Sequence, residues 1–441
     1  MPRRAVFSSS LEPLRHLGAL AYLLFWFLAA SGIYLYIRFD TELAGAYASI
    51  AELEWWFGGV LRSVHRYAAD AFVVVTLAHL INELARGRFR GFRAFTWISG
   101  VPLLGLLYAS GIVGYWLVWD TRSQFSFVST LEWLGQGAAS AGAPLDRLFS
   151  LFVFLHIGLP LALLAGMWVH VQRLGEPKTV PPRALAWGLA GALLLLAALR
   201  PAASEAPWDV ASAPQALAID WHYHFFHPLM YATSPSALWL LVGGALALLL
   251  VLPYAGKRRR MVAARVDPAN CNGCGRCVAD CPYEAILLSE AKKAIVSAER
   301  CAACGICAGA CPSSTPFRKG GVLVSGIDLP DLTVNSLRER MRAALADGAT
   351  EIVFRCERSR GEEPRSPYIG VRCLAMLPPA FVEYALRNGA REVRALGCEP
   401  ECAFRLGMEL CDARFAGSRE PHLRRTVRAE RKDHEYSFAL R

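Results

Sequence analysis

Eight of the 13 cysteines keep one rhythm, given twice. Cys271, Cys274, Cys277 and Cys281 precede Pro282; Cys301, Cys304, Cys307 and Cys311 precede Pro312. Thiolates at C-x2-C-x2-C-x3-C-P spacing hold [4Fe–4S] cubanes, three from one run wrapping a cluster while the fourth crosses to the other. The spacing therefore predicts one cluster on Cys271, Cys274, Cys277 and Cys311, and a second on Cys301, Cys304, Cys307 and Cys281. Zinc knuckles or a disulfide framework would be the competing use of so many cysteines, and the doubled run closed by proline argues against both. The chemistry is electron transfer.

Histidines carry a second regularity. His65 and His79 are 14 residues apart, and so are His156 and His170. On a helix that is about four turns less 40°, so both members of a pair share one face, roughly 21 Å apart. Neutral imidazole is an axial haem ligand, and ionisable residues inside membrane spans are rare without a task. If the two helices face each other, His65 pairs with His156 and His79 with His170, stacking two bis-histidine b haems. A lone histidine would read as a satisfied core residue; two pairs at one spacing do not.

These ligands need a scaffold, and the sequence supplies apolar segments at about 16–38, 64–84, 95–119, 148–172, 184–200 and 236–255. A membrane span needs about 20 residues as helix; the fifth segment is the shortest. A hydrophobic share of 54% agrees with a partly membrane-embedded chain. Basic loops after the second, fourth and sixth segments, including Arg86–Arg93 and Lys257–Arg260, place both termini in the cytoplasm. The net charge of +10 belongs largely to such loops and is not a nucleic-acid signature. All cysteines follow residue 270, as expected of a reducing cytoplasmic half. The first apolar run continues into further spans, so no cleavable signal peptide is expected. Gly18 and Gly32 on the first helix, and Gly100 and Gly114 on the third, repeat the 14-residue interval. A residue without a side chain at each level lets a porphyrin approach the backbone. Arg62, one turn before His65, is placed for a haem propionate or, alternatively, for the membrane interface.

With these residues in view, positions 14–255 resemble cytochrome b of the quinol-oxidising bc and b6f complexes. R62-S-V-H65, the paired histidines and glycines, and G114-Y-W-L-V-W119 carry the likeness. The last resembles the family's GYxLPW segment at the positive-side quinol site, with Val118 in place of proline. I219-D220-W221-H222 stands where the family has Pro-Glu-Trp-Tyr, and there the glutamate accepts a quinol proton. The resemblance implies Asp220 in that role; an exposed loop aspartate is the alternative. His222, His224 and His227 in the Pro201–Pro235 loop read as a wet interfacial segment, with a periplasmic metal site as the second reading. No C-x-x-C-H occurs, which excludes covalent c-type haem.

Gly256–Arg265 is a short basic tether, expected to hold the cysteine-rich module close to the cytoplasmic haem level. That module resembles a two-cluster bacterial ferredoxin. Beyond about residue 320, helix-like and strand-like stretches alternate: LTVNSLRERMRAALADG, EIVFRC, YIGVRC, PAFVEYALRNGA, REVRALGC. The alternation predicts a parallel sheet whose carboxyl ends gather Cys356, Cys373 and Cys398, with Cys402 four residues on. R355-C356, V371-R372-C373 and G397-C398-E-P-E-C402 resemble the delta subunit of methyl-viologen-reducing hydrogenases. That resemblance implies a [2Fe–2S] cluster on Cys356, Cys373, Cys398 and Cys402, with Cys411 as spare or substitute. It also implies a soluble flavoprotein partner of the heterodisulfide reductase A type. Ser359 stands where the family commonly has a cysteine, and the last cysteine pair is one residue narrower. No G-x-G-x-x-G or P-loop occurs. The charged segment after Ala416 is expected to be a solvated tail, or to lie on a partner or on anionic lipid.

The expected architecture is multi-domain: an all-α six-helix transmembrane dihaem cytochrome b over 1–256, an α+β ferredoxin-like module over 257–319, an α/β [2Fe–2S] domain over 320–416 and a charged tail over 417–441. The expected function is a multi-pass inner-membrane electron-transfer subunit. It would join a cytoplasmic redox enzyme (flavoprotein, hydrogenase or dehydrogenase) to the quinone pool, with the cytochrome b part allowing a homodimer. Quinol oxidation driving electrons to low-potential acceptors with the membrane potential is one alternative; a redox-sensing membrane anchor is another.

Overall fold

The computed structural model describes residues 12–53, 55–134, 145–209, 217, 220–255, 262–359, 367–398, 402, 404–432 and 435–440. The chain divides into two compact units, one of 1–172 with 177–256, the other of 173–176 with 257–441.

The first unit is helical. Its helices are α1 (Leu17–Arg38), α2 (Leu43–Ala51), α3 (Val60–Ala85), α4 (Ala94–Val118), α5 (Thr121–Trp133), α6 (Leu145–Val171), α7 (Arg183–Leu199), α8 (Trp221–His224), α9 (Phe226–Ala232) and α10 (Pro235–Val251). Five described helical stretches are long and apolar enough to cross a membrane: Leu17–Arg38, Trp56–Ala85, Gly91–Val118, Leu145–Val171 and Pro235–Tyr254. The sixth expected span is the shorter helix Arg183–Leu199; at 17 residues it reaches about 26 Å. α1 packs along α3 and α4 along α6. Leu24, Phe72, Val73, Leu107, Leu163 and Met167 form the shared core, where apolar side chains leave few polar groups to satisfy. Outward faces stay apolar and exposed, as at Ile37, Phe154, Trp168, Leu195, Leu240 and Leu248, the pattern a lipid-facing surface requires. α5 begins with a capping box, Asp120 accepting from the Ser123 amide while the Ser123 hydroxyl takes the Asp120 amide.

The second unit begins its main chain with β1 (Arg265–Val266), which pairs antiparallel with β4 (Ile327–Asp328). β2 (Ile286–Leu288) and β3 (Ala294–Val296) form a second antiparallel pair. Two short helices, α11 (Arg276–Ala279) and α12 (Ile306–Ala310), follow Gly275 and Gly305. Both glycines are left-handed, with φ of 74° and 77°, a conformation a side chain resists, so Cys-Gly opens each helix. Because β4 closes on β1, this module runs past the expected boundary at 319. The unit also takes in residues 173–176, where the Gly175 amide donates to the Pro282 carbonyl at 2.9 Å.

The C-terminal part carries α13 (Val334–Ala346), β5 (Glu351–Cys356), β6 (Tyr368–Val371), α14 (Pro379–Arg387), β7 (Glu392–Leu396), α15 (Gly407–Phe415), β8 (Val427–Lys432) and β9 (Glu435–Leu440). The sheet order is β6-β5-β7-β9-β8. β5 is parallel to both β6 and β7, as the alternation predicts. The expected charged tail over 417–441 is corrected: β8 and β9 form an antiparallel pair that adds β9 to β7. Alternate residues Tyr436 and Phe438 are buried against Phe415, while the charges of β8 face out on the sheet edge. A run rich in charge disguised a period of two.

Candidate redox sites

α3 and α6 present the four histidines. The His65 and His156 rings stand 6.2 Å apart between centroids, room for one ion at about 2 Å from a nitrogen of each ring. His79 lies close enough to His170 to interact with it electrostatically. Each imidazole rests on one of the four glycines: a Cβ on Gly32 would lie 3.1 Å from His65 Cε1, on Gly114 2.7 Å from His156 Cε1, on Gly100 2.8 Å from His170 Cε1 and on Gly18 3.8 Å from His79 Cε1. Glycine keeps these rings in place.

The tautomers follow from the hydrogen bonds. The Ser110 carbonyl can only accept, so His156 donates from Nδ1 at 3.0 Å. The Ser31 hydroxyl gives its proton to Phe27 O at 2.6 Å and therefore accepts from His65 Nδ1 at 3.0 Å. The Ser99 hydroxyl donates to Thr96 O at 3.1 Å and accepts from His170 Nδ1 at 3.2 Å. In all three rings Nε2 keeps its lone pair, the form that ligates a metal. The chain thus fits haem at these levels. Ser31 and Ser99 were not singled out from sequence, yet the doublets Ser31-Gly32 and Ser99-Gly100 are a visible signal. Arg62 donates to Ile50 O at 3.1 Å and to the Ser204 hydroxyl at 2.7 Å.

The two segments expected at one quinol site do meet. The Tyr115 hydroxyl donates to Asp220 Oδ2, and Arg66 pairs with both Asp220 and Asp70 while lying over the Tyr115 ring. The Asp220 side chain is 7% exposed, so the exposed-loop alternative fails. His224 and His227 are fully buried, which corrects the wet interfacial reading of this segment. The Tyr115 and His224 rings are 4.5 Å apart, and Phe226 packs on His227. Burial pushes His227 down to about 4 and keeps it neutral. Ile219, the His222 side chain and residues 256–261 of the tether lie outside the described residues.

In the second unit two small cavities sit on the doubled cysteine motif. Cys271, Cys274, Cys277 and Cys311 line one; Cys281, Cys301, Cys304 and Cys307 line the other. The fourth cysteine of each run crosses over, as the spacing predicts. Burial raises the Cys277 thiol to about 11 and Cys304 to about 12. Two cups of four soft donors suit iron–sulfur cubanes.

The four C-terminal cysteines also converge. Cys356 closes β5, and its Sγ lies 3.1 Å from that of Cys398, just past β7. Cys402 reaches Cys373 and Cys398, and hydrogen bonds from those thiols hold it below the usual cysteine range. A Cβ on Gly407 would stand 2.6 Å from both the Cys373 and Cys402 sulfurs. Cys411 is buried within electrostatic reach of Cys402 and Cys356. This is a four-thiol set with a fifth cysteine behind it.

Paired imidazoles in a bundle of membrane helices, followed by cysteine cups in a strand-containing unit, define a multi-pass membrane electron-transfer protein. Comparison with known families agrees segment by segment. Residues 4–176 match Cytochrome b/b6/petB, residues 270–315 match the 4Fe-4S dicluster domain, and residues 355–434 match Methyl-viologen-reducing hydrogenase, delta subunit. The chain is also similar to a solved structure described as "Hyperthermophilic respiratory Complex III", at 20% identity and a TM-score of 0.47, over 55% of this chain and 76% of that one. The chain is a membrane electron-transfer subunit with a haem b region and a [4Fe–4S] region.

Proposed function

We propose that the chain joins the quinone pool to a redox enzyme at the cytoplasmic face through two b haems, two [4Fe–4S] clusters and one [2Fe–2S] cluster. One observation carries this: the His65 and His156 ring centroids lie 6.2 Å apart, each ring seated on a glycine. Haem iron and iron–sulfur clusters each accept and release one electron at a time. His65 with His156, and His79 with His170, would hold the haems; the hydrogen bonds of His65, His156 and His170 leave their Nε2 lone pairs free, and Arg62, one turn before His65, would serve a propionate. The crossed cysteine sets would hold the cubanes, and Cys356, Cys373, Cys398 and Cys402 the [2Fe–2S] cluster, with Cys411 in reserve.

Tyr115 and Asp220, brought together from two distant segments, support a quinone site with Asp220 as its proton acceptor. Arg66 balances that carboxylate, so proton transfer to it would loosen the pair. The basic loops support cytoplasmic iron–sulfur domains. The delta-subunit match supports a flavoprotein of the heterodisulfide reductase A type, or another redox subunit, as partner. The test is an optical and EPR redox titration of the purified protein with quinone reduction assayed in parallel. Two b-type haem transitions and three clusters are expected; a single haem or no [2Fe–2S] signal sinks the reading.

A further inference from the structure

Within the iron–sulfur unit a buried cation stands between two cysteine sets. The Arg414 side chain, on α15, is 1% exposed and pairs with Asp280, itself 3% exposed. Arg419 adds a second contact to Asp280 at 2.6 Å. Arg414 Nη1 donates to Ala375 O at 2.7 Å, and Nη2 reaches Ile306 O at 3.5 Å. These groups lie close in sequence to cysteines. Asp280 precedes Cys281, Ile306 precedes Cys307, Ala375 lies two residues past Cys373, and Arg414 follows Cys411 by three.

Packing here is backbone-tight. A Cβ on Gly309 would lie 2.0 Å from Ala375 O and 2.8 Å from Arg414 Nη1, and one on Gly305 2.6 Å from Met376 Sδ. From the other side, a Cβ on Gly407 would touch the Cys373 and Cys402 sulfurs and come within 3.9 Å of Ile306 Cδ1. The segment Ile306–Ala310, which carries Cys307, is thus pressed against the turn after Cys373. The cup of Cys281, Cys301, Cys304 and Cys307 is the one that abuts the C-terminal cysteines. The other cup is bounded by Leu288, Ala294, Gly326 and Ile327, and its Cys274 is exposed.

We propose that Arg414, held by Asp280, is a positioning residue that joins the cluster of Cys281, Cys301, Cys304 and Cys307 to the cluster of the four C-terminal cysteines and sets the potential of that junction by its fixed charge. This rests on the proposed clusters. A guanidinium is not buried without partners, and here it has an ion pair and two carbonyls. With Arg419 the triad carries one net positive charge. Reduction adds one negative charge to a cluster, so a buried cation beside it favours the reduced state. Electrons would then pass directly between the C-terminal set and this cubane, with the Cys271 cubane beyond it.

The test uses the full-length protein with its clusters, an EPR-monitored redox titration, and iron and sulfide content as a control. Arg414→Gln removes a positive charge and should lower the midpoint of the abutting [4Fe–4S] cluster, by at least a tenfold change in its reduction equilibrium, about 59 mV for a one-electron couple. Asp280→Asn removes a negative charge and should raise it. Arg414→Lys should stay near wild type, and the Cys271 cluster should shift least. Unchanged midpoints at full iron content, or shifts of the same sign in the Gln and Asn variants, overturn the proposal. If Arg414→Gln loses iron, the sign of the Asp280→Asn shift decides. A wild-type protein lacking the [2Fe–2S] signal would instead sink the proposed function, which separates the two failures.

Discussion

Gly114 lies directly against His156, so close that a Cβ there would come within 2.7 Å of the ring carbon Cε1. Gly18, against His79, leaves 3.8 Å, an ordinary contact. Gly114→Ala should therefore push the His156 ring off the Ser110 carbonyl and cost that level its haem, while Gly18→Ala should be tolerated. Haem-to-protein ratio by pyridine haemochrome is the measurement: a fall from two towards one for Gly114→Ala, and no change for Gly18→Ala. Equal ratios in both variants would remove the steric argument.

The serines make a finer prediction. Ser99→Ala takes away one acceptor of the His170 Nδ1 proton and leaves it the Thr96 carbonyl. Loss of such an outer partner typically weakens metal affinity, by about 10-fold at the low end of the range. Haem titration into cluster-intact apoprotein should show one weakened site and one normal one. Ser99→Thr, which keeps the hydroxyl, should recover most of the loss.

Much of this was legible in the residues. Apolar runs gave α1, α3, α4, α6, α7 and α10 because a bilayer demands length and apolarity together, and 14-residue intervals placed histidine opposite glycine. The crossed cysteine cups followed from spacing alone. What stayed hidden depends on distant packing. Nothing local says that Asp220 meets Arg66, or that His224 and His227 are wholly enclosed by elements far along the chain. α5 and α9 are too short or too polar to stand out as spans, and in β8 and β9 charge masked the alternation that buries Tyr436 and Phe438. Arg414 looked like one arginine among many until the fold put Asp280 beside it.

Crossing of the cysteine runs can be checked by swapping ligands. Cys311 belongs by sequence to the second run but lines the cavity of the first. Cys311→Ser should therefore perturb the cluster of Cys271, Cys274 and Cys277 and leave the other cubane's EPR signal intact. Cys281→Ser should do the reverse. Loss of the cubane of its own sequence run in either variant would contradict the cavities.

Cluster insertion should depend on pH in a definite direction. Burial holds the Cys277 thiol at about 11 and Cys304 at about 12 in the cluster-free chain, above the ordinary value of about 8.5. At neutral pH these groups are protonated, and each must lose its proton to ligate iron. Reconstitution should thus strengthen as pH rises from 6.5 to 8.5, with net proton release measurable in weakly buffered solution. An affinity flat over that range would mean that the ligands are already thiolates.

The meeting of Tyr115 with Asp220 yields the sharpest functional test. Asp220→Asn removes the carboxylate that pairs with Arg66 and keeps the shape of the side chain, while Arg66 retains Asp70. If Asp220 takes the quinol proton, quinone-linked turnover should fall more than tenfold with haem spectra unchanged. Tyr115→Phe deletes one hydrogen bond to that charged carboxylate, worth about 1.5–3 kcal/mol, and should cost roughly tenfold or more. Wild-type turnover in Asp220→Asn, with both haems present, would leave the buried pair a structural one and move the proton acceptor elsewhere.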